Sequence, residues 1–248
     1  MSWMWLIGIA LAGSELRPVG PGSYTPLYTA DSDNPVVTVA SFLLEEKPVT
    51  RGEFAAFIAE HPKWRRDTIS RTFADKGYLD TWIDPLTPNG SPEQPVVQVS
   101  WFAARAYCKA AGRRLPTEDE WEVAALADET RADASQDPAR AAAVLAWYGS
   151  ANSERAVGER PPNIWGVHDL HGLVWEWVDN FNSTLYGTDP RESGDEAQNR
   201  FCGAGALTSA DARDYATFMR VAFRTSLEAN YSTKNLGFRC ASDLPEAP

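Results

Sequence analysis

The feature that most constrains the fold is a tryptophan-rich stretch at residues 163–180, which reads NIWGVHDLHGLVWEWVDN. Its segment 174–178 is almost wholly apolar and lies between Gly172 and Asp179. A short apolar run between turn residues is typical of a buried strand rather than of an amphipathic helix. Glu176 then lies between two large rings, and a buried carboxylate must be paired, metal-bound or protonated. The simplest interpretation is a core strand whose Glu176 meets a backbone amide or an arginine.

Three helix starts are marked by side chains that can cap a helix. The pairs Thr50–Glu53 and Thr117–Glu120 have the spacing of a capping box, and Ser100 can cap a third helix. Seventeen glycines and seventeen prolines indicate many turns and little regular structure. The remaining expectations are strands at residues 35–40 and 95–99, an irregular segment at residues 63–95, and a short exposed helix within residues 128–143.

Four blocks of sequence occur in the order found in one family. They are KPVTRGEF at residues 47–54, PVVQVSW to GRRLPTEDEWE within residues 95–122, GVHDLHGLVWEW at residues 166–177, and NLGFRC at residues 235–240. Together they resemble the formylglycine-generating-enzyme family, also called sulfatase-modifying factors. The resemblance spans residues 18–242. It implies one α+β domain, at residues 13–248, with a C-type-lectin-like, sulfatase-modifying-factor fold and little regular secondary structure.

Two features of the chain point to export. Residues 3–12 are apolar, too few to span a bilayer but enough for a signal-peptide core, so residues 1–12 are predicted to be a signal peptide. The alternatives are a buried N-terminal strand or a start codon assigned too late. The resemblance also implies a disulfide between Cys108 and Cys240, which needs an oxidising compartment. We therefore expect a periplasmic or extracellular protein.

The oxidation chemistry of the resembled enzymes depends on two cysteines near the C-terminus. They bind copper and convert a substrate cysteine to formylglycine. Alignment without gaps back from Cys240 places Asp211 and Ala216 at those positions, and no cysteine lies between Cys202 and Cys240. Because Cu(I) prefers soft thiolate ligands, this chain is not expected to generate formylglycine. Cys202 remains as a candidate catalytic residue, and a free buried thiol is the simpler interpretation.

The segment that carries those positions also implies a binding groove. Its predicted lining residues are Asp211, Tyr215, Arg220 and Arg224, which offer hydrogen bonds and charge to an extended, acidic ligand. An alternative is that Arg224 is a core residue paired with Glu176.

A metal site is a further expectation. Members of the resembled family often bind calcium near the turn that precedes the Trp-Glu pair, but Leu173 stands here where they have asparagine, which removes an oxygen ligand. His168 and His171 are three residues apart, but the neighbouring glycines predict a loop that spoils their spacing. The sequence does not identify a cofactor; calcium is the first candidate and copper the second. The candidate ligands are Asp169, Glu176, Asp179, His168 and His171.

Two functions fit these observations. The first is an exported accessory or maturation protein that binds a peptide or protein partner and lacks formylglycine-generating oxidase activity. The second is a copper- or iron-dependent oxidoreductase that uses Cys202 or the histidines. The net charge of −11 argues against nucleic acid as a partner. Beyond the N-terminus, no stretch is long and apolar enough for membrane insertion.

Overall fold

The computed structural model describes residues 13–27, 36–149, 154–182 and 212–245. The predicted signal peptide at residues 1–12, Cys202 and Asp211 lie outside these ranges. The strands are β1 (Leu16–Val19), β2 (Gly22–Tyr24), β3 (Val37–Val39), β4 (Phe42–Glu45), β5 (Trp175–Glu176), β6 (Leu236–Gly237) and β7 (Ala241–Asp243). The helices are α1 (Arg51–Glu60), α2 (Trp101–Ala110), α3 (Glu118–Leu126), α4 (Pro138–Tyr148) and α5 (Ala212–Thr225), with a short 3-10 helix at Pro62–Trp64.

The strands form small sheets that join distant parts of the chain. Strand β4 lies between β1 and β7, antiparallel to both, so that the start and the end of the domain meet in one sheet. Strands β2 and β3 form an antiparallel pair, and β5 and β6 form a parallel pair. Helices and sheets of this mixed kind confirm the predicted α+β class.

The predicted helix starts are confirmed at the level of single hydrogen bonds. The Thr50 hydroxyl accepts from the Glu53 amide, and the Glu53 carboxylate accepts from the Thr50 amide in return. Thr117 and Glu120 repeat this reciprocal arrangement at α3. The Ser100 hydroxyl accepts from the amide of Ala103 at 3.2 Å. Each side chain satisfies backbone donors that the first helical turn leaves unpaired.

The main core runs from β1 to β7 and includes several packed aromatic rings. Phe54 of α1, Tyr107 of α2 and Phe238 contact one another, with ring centroids 5.3–6.1 Å apart. Beside Tyr107, the predicted disulfide joins Cys108 to Cys240, with Cα atoms 5.5 Å apart. It links α2 to the residue that precedes β7.

Two local expectations were wrong. Residues 95–99 form no strand: Pro95 makes an isolated bridge with Thr50, and Gln98 has a φ of 60°, which departs from the extended backbone of a strand. The helix expected within residues 128–143 begins only at Pro138, because the Asp137 carboxylate caps the helix there and proline suits the first helical position. Strands β1 and β4 were not predicted.

Within the described ranges, no helix combines the length and the apolar character needed to cross a bilayer.

Candidate functional site at helix α5

The tryptophan-rich stretch ends in the short strand β5, which pairs with β6. The Trp175 amide donates to the Asn235 carbonyl at 2.8 Å, and the Trp177 amide donates to the Gly237 carbonyl at 3.0 Å. Gly237 is required there because a Cβ atom would collide with the Val96 carbonyl oxygen. This pairing carries Glu176 into the core.

Glu176 is held by one arginine and one indole. Arg239 donates from Nη2 to Oε1 at 2.7 Å and from Nε to Oε2 at 2.9 Å, and Trp121 donates from Nε1 to Oε2 at 2.8 Å. Both charged side chains are fully buried. The structure thus pairs Glu176 with an arginine, as the simplest interpretation expected. The alternative pairing with Arg224 was wrong, because the guanidinium of that residue lies on acids of α3.

Helix α5 is joined to α3 by a second buried cluster. Arg220 donates from Nε and Nη2 to the two carboxylate oxygens of Glu122 at 2.9 and 2.7 Å. Arg224 donates from Nη1 to Glu122 at 2.7 Å and to Glu118 at 3.0 Å. Residues four apart share a helix face, so two acids of α3 meet two arginines of α5. We call these four residues the α3–α5 ion-pair cluster.

The ion-pair cluster also covers Trp121. The guanidinium carbon of Arg224 lies 4.8 Å from the ring centroid, and that of Arg220 lies 5.9 Å from it. Burial acts to raise the pKa of Glu122, but the two guanidiniums lower that pKa to about 2. Burial acts to lower the pKa of Arg220, but Glu122 raises it. All the charges of this pair therefore persist at neutral pH.

The predicted groove residues fall into different environments. The side chains of Arg220 and Arg224 are only 9% and 6% exposed, so their charges face α3 rather than solvent. Tyr215 is 49% exposed on α5, whereas Ala216 is buried. Asp211 lies outside the described ranges. Of the predicted groove residues that the structure describes, Tyr215 is therefore the one open to a ligand.

A buried histidine extends the cluster towards α4. His171 Nε2 lies 3.0 Å from the Ala125 carbonyl, which can only accept, so Nε2 carries the proton. His171 Nδ1 then accepts from the Tyr148 hydroxyl at 3.3 Å, and that hydroxyl accepts from Arg220 Nη1 at 3.0 Å. Burial and the charge of Arg220 lower the pKa of His171 to about 3, so the ring is neutral. The sequence contained no sign of this chain of contacts, which spans three distant segments.

A row of half-buried aromatic rings borders a small pocket between α4, β5 and α5. Trp175 lies between Tyr148 and Phe223, with ring centroids 4.8 and 4.6 Å away. The pocket has a volume of about 30 Å³. Trp147, Leu173 and Asn235 also line it. We call Trp147, Tyr148, Trp175 and Phe223 the aromatic row.

The five predicted metal candidates each have partners from the protein itself. Asp169 contacts Arg155 and the amide of Gly158, and His168 Nδ1 lies 2.7 Å from the Arg160 carbonyl. Asp179 is exposed and lies 3.7 Å from Arg105. Glu176 and His171 have the contacts given above. Within the described ranges, no three residues among His, Cys, Asp and Glu group so that they could hold a metal ion.

Comparison with known proteins identifies relatives along nearly the whole chain. Residues 17–244 match the profile of the sulfatase-modifying factor enzyme 1-like domain. A formylglycine-generating enzyme of Streptomyces coelicolor is 31% identical, over 87% of this chain and 83% of the relative. A Bos taurus relative named inactive C-alpha-formylglycine-generating enzyme 2 is 29% identical, over 88% of this chain and 83% of the relative. The solved structure of PvdO from Pseudomonas aeruginosa shares the fold, with a TM-score of 0.50 and 20% identity over 93% of this chain and 95% of that one.

Proposed function

The chain belongs to the sulfatase-modifying factor family, and from that premise we propose that it is a non-oxidase member, which binds a peptide or protein partner at helix α5. One observation carries the proposal: no cysteine occurs in the 37 residues between Cys202 and Cys240. Cu(I) is held by soft thiolate ligands, and the α5 segment offers none.

The contacts of α5 support a structural role for its polar face. In oxidases of this kind the segment must present reactive sulfur to a substrate. Here the described inner face presents Arg220 and Arg224, both engaged with buried glutamates. A guanidinium neither carries electrons nor binds copper, so the face stabilises the fold instead of oxidising a ligand. A relative whose name includes the word inactive is consistent with loss of activity within the family.

The proposed binding surface is the outer side of the same helix with the aromatic row. Tyr215 is exposed there, and Phe223, Trp175 and Tyr148 form a row of half-buried rings. Aromatic rings contribute large contact areas at low cost in side-chain entropy and are enriched at protein interfaces. The partner would be met after export, as an accessory or maturation step. The apolar residues 3–12 and the Cys108–Cys240 disulfide support that location.

A site-specific crosslinking experiment tests the binding surface. A photoreactive phenylalanine analogue replaces Tyr215 in the full chain, expressed in its native host. The matched control carries it at Phe73, which has similar exposure, 42% against 49%, and lies outside α4, β5 and α5. The proposal predicts a discrete crosslinked product from position 215 and none from position 73. Equal labelling at both positions, or none at 215, would contradict it.

The alternative function, a copper- or iron-dependent oxidoreductase, has less support. His168 Nδ1 and His171 Nε2 each contact a backbone carbonyl, so neither of these ring nitrogens is free to bind a metal ion. Metal analysis of the purified chain after incubation with copper or iron separates the two functions. The proposed binding protein retains less than one equivalent of metal, whereas an oxidoreductase retains a stoichiometric amount that is lost in Cys202→Ser or His171→Gln.

A further inference from the structure

The turn that leads into β5 contains a carboxylate that needs a cation. The Asp169 side chain is completely buried, and its backbone has a φ of 57°, which is uncommon for a residue other than glycine. One oxygen accepts from the Gly158 amide at 2.6 Å, and the other accepts from Arg155 Nη2 at 3.2 Å. A buried carboxylate without an opposite charge is strongly unfavourable, so the turn depends on whichever cation lies beside it.

A calcium ion does not fit this turn while Arg155 lies beside Asp169. Calcium takes six to eight oxygen ligands. Both oxygens of Glu176 are engaged by Arg239 and Trp121, and Leu173 places a buried apolar side chain where the family has asparagine. Asp179 is exposed and faces Arg105. Among the described residues, the carboxylate oxygens that such a site would require are engaged while Arg155 lies beside Asp169. Loss of Arg155 would free one Asp169 oxygen, and backbone carbonyls and water would then complete the shell of a calcium ion.

Arg155 contributes its positive charge to the turn but makes few hydrogen bonds. Its side chain is 14% exposed, and both Nε and Nη1 are buried without a hydrogen-bonding partner in the protein. Arg239, by contrast, uses Nε, Nη1 and Nη2 in hydrogen bonds. Two of the three guanidinium nitrogens of Arg155 are therefore unpaired beside the carboxylate, so the residue contributes mainly its positive charge.

The segment that supplies Arg155 also supplies the amide that binds the second oxygen of Asp169. The Val157 amide donates to the Glu93 carbonyl at 3.0 Å and anchors the segment. Gly158 follows with a φ of 77°, where a side chain would be strained. We propose that Arg155 is the built-in cation of the Asp169 turn and takes the place of the calcium ion that the family holds near β5.

The test compares thermal unfolding of the full chain in excess calcium and in excess chelator. The variants are Arg155→Ala, Arg155→Lys and the matched control Arg113→Ala. Arg113 also pairs with a completely buried carboxylate, that of Glu45, and is 16% exposed, so its loss disturbs a comparable ion pair away from the turn.

The wild-type protein is expected to have the same Tm in calcium and in chelator. In chelator, Arg155→Ala and Arg113→Ala both lower the Tm, on the order of 10 °C, because each strands a buried charge. Calcium raises the Tm of Arg155→Ala, where a cation can enter, and leaves that of Arg113→Ala unchanged. Arg155→Lys keeps the charge and stays insensitive to calcium. If Arg155→Ala does not fold, the wild type is compared with Arg155→Lys instead.

Three results would overturn the proposal. They are a wild-type Tm that rises with calcium, an Arg155→Ala variant with the wild-type Tm, and equal calcium responses of Arg155→Ala and Arg113→Ala. Calorimetric titration with calcium alone provides an independent reading. Wild-type protein should release no binding heat, whereas Arg155→Ala should bind one equivalent. One equivalent bound by the wild type would count against the inference.

Discussion

Individual arginines neutralise the buried glutamates Glu176 and Glu122 of this domain. Arg239 neutralises Glu176, Arg220 and Arg224 neutralise Glu122, and each of these guanidiniums is nearly or wholly buried. From the sequence, Glu176 could be predicted to need a partner, because it lies in an apolar run. Which arginine it meets could not be predicted, because the two residues are 63 positions apart and the pairing depends on how β5 and β6 meet.

His171 makes the stability of the fold sensitive to acid. Its folded-state pKa is about 3, below the ordinary value of 6.5, chiefly because of burial and then because of Arg220. Between these values the unfolded chain binds one more proton than the folded chain. The contribution of neutral His171 to the free energy of unfolding is therefore fully present above about pH 6.5. It is lost progressively as pH falls towards about 3.

We predict that the wild type loses about 1.4 kcal/mol more unfolding free energy per pH unit than His171→Gln, from pH 6 to pH 4. Urea unfolding of both proteins at several pH values measures the difference. Other titrating groups are common to both and cancel. Parallel curves for the two proteins would show that the ring is not held neutral in the folded state.

At the scale of elements, the helix starts were predictable and the outer strands were not. A helix cap involves residues within four positions of one another, so the caps at Thr50, Ser100 and Thr117 could be predicted from the local sequence. Strands β1, β4 and β7 are three or four residues long and exist because distant segments pair. The orientation of α5 was missed for the same reason, since contacts with α3, α4 and β5 determine which face of α5 is inside.

The α3–α5 ion-pair cluster should be what holds α5 in place. Arg220→Met leaves Glu122 with one guanidinium fewer, and we predict a loss of about 3–5 kcal/mol of unfolding free energy. Combining Arg220→Met with Glu122→Gln should cost less than the sum of the single changes, because both charged partners of the contact are then removed together.

The control for this cycle is Arg131→Met, which breaks a half-exposed pair with Asp128 and should cost less than about 1 kcal/mol. Denaturant unfolding gives all four values. Hydrogen exchange of the α5 amides should accelerate in Arg220→Met and not in Arg131→Met. Additive single changes, or equal costs of Arg220→Met and Arg131→Met, would show that the cluster does not hold the helix.

At the scale of the whole molecule, the ordered sequence blocks predicted the family and the fold correctly. They include the residues that close the domain, Cys108 and Cys240, and the disulfide is present. The missing cysteine pair could also be read from the sequence, because it is a matter of composition between Cys202 and Cys240. The burial of Arg220 and Arg224 against α3 could not, because it depends on contacts between α3 and α5, about 100 residues apart.

The most direct test is mass spectrometry of a peptide with the sequence Cys-x-Pro-x-Arg after incubation with the purified chain, copper, oxygen and a thiol reductant. The formylglycine-generating enzyme of Streptomyces coelicolor provides the positive control. We predict that this chain leaves the peptide cysteine unchanged while the control converts it. Conversion to formylglycine that requires this chain, copper and oxygen would contradict the account, and its loss or persistence in Cys202→Ser would show whether Cys202 or another site does the chemistry.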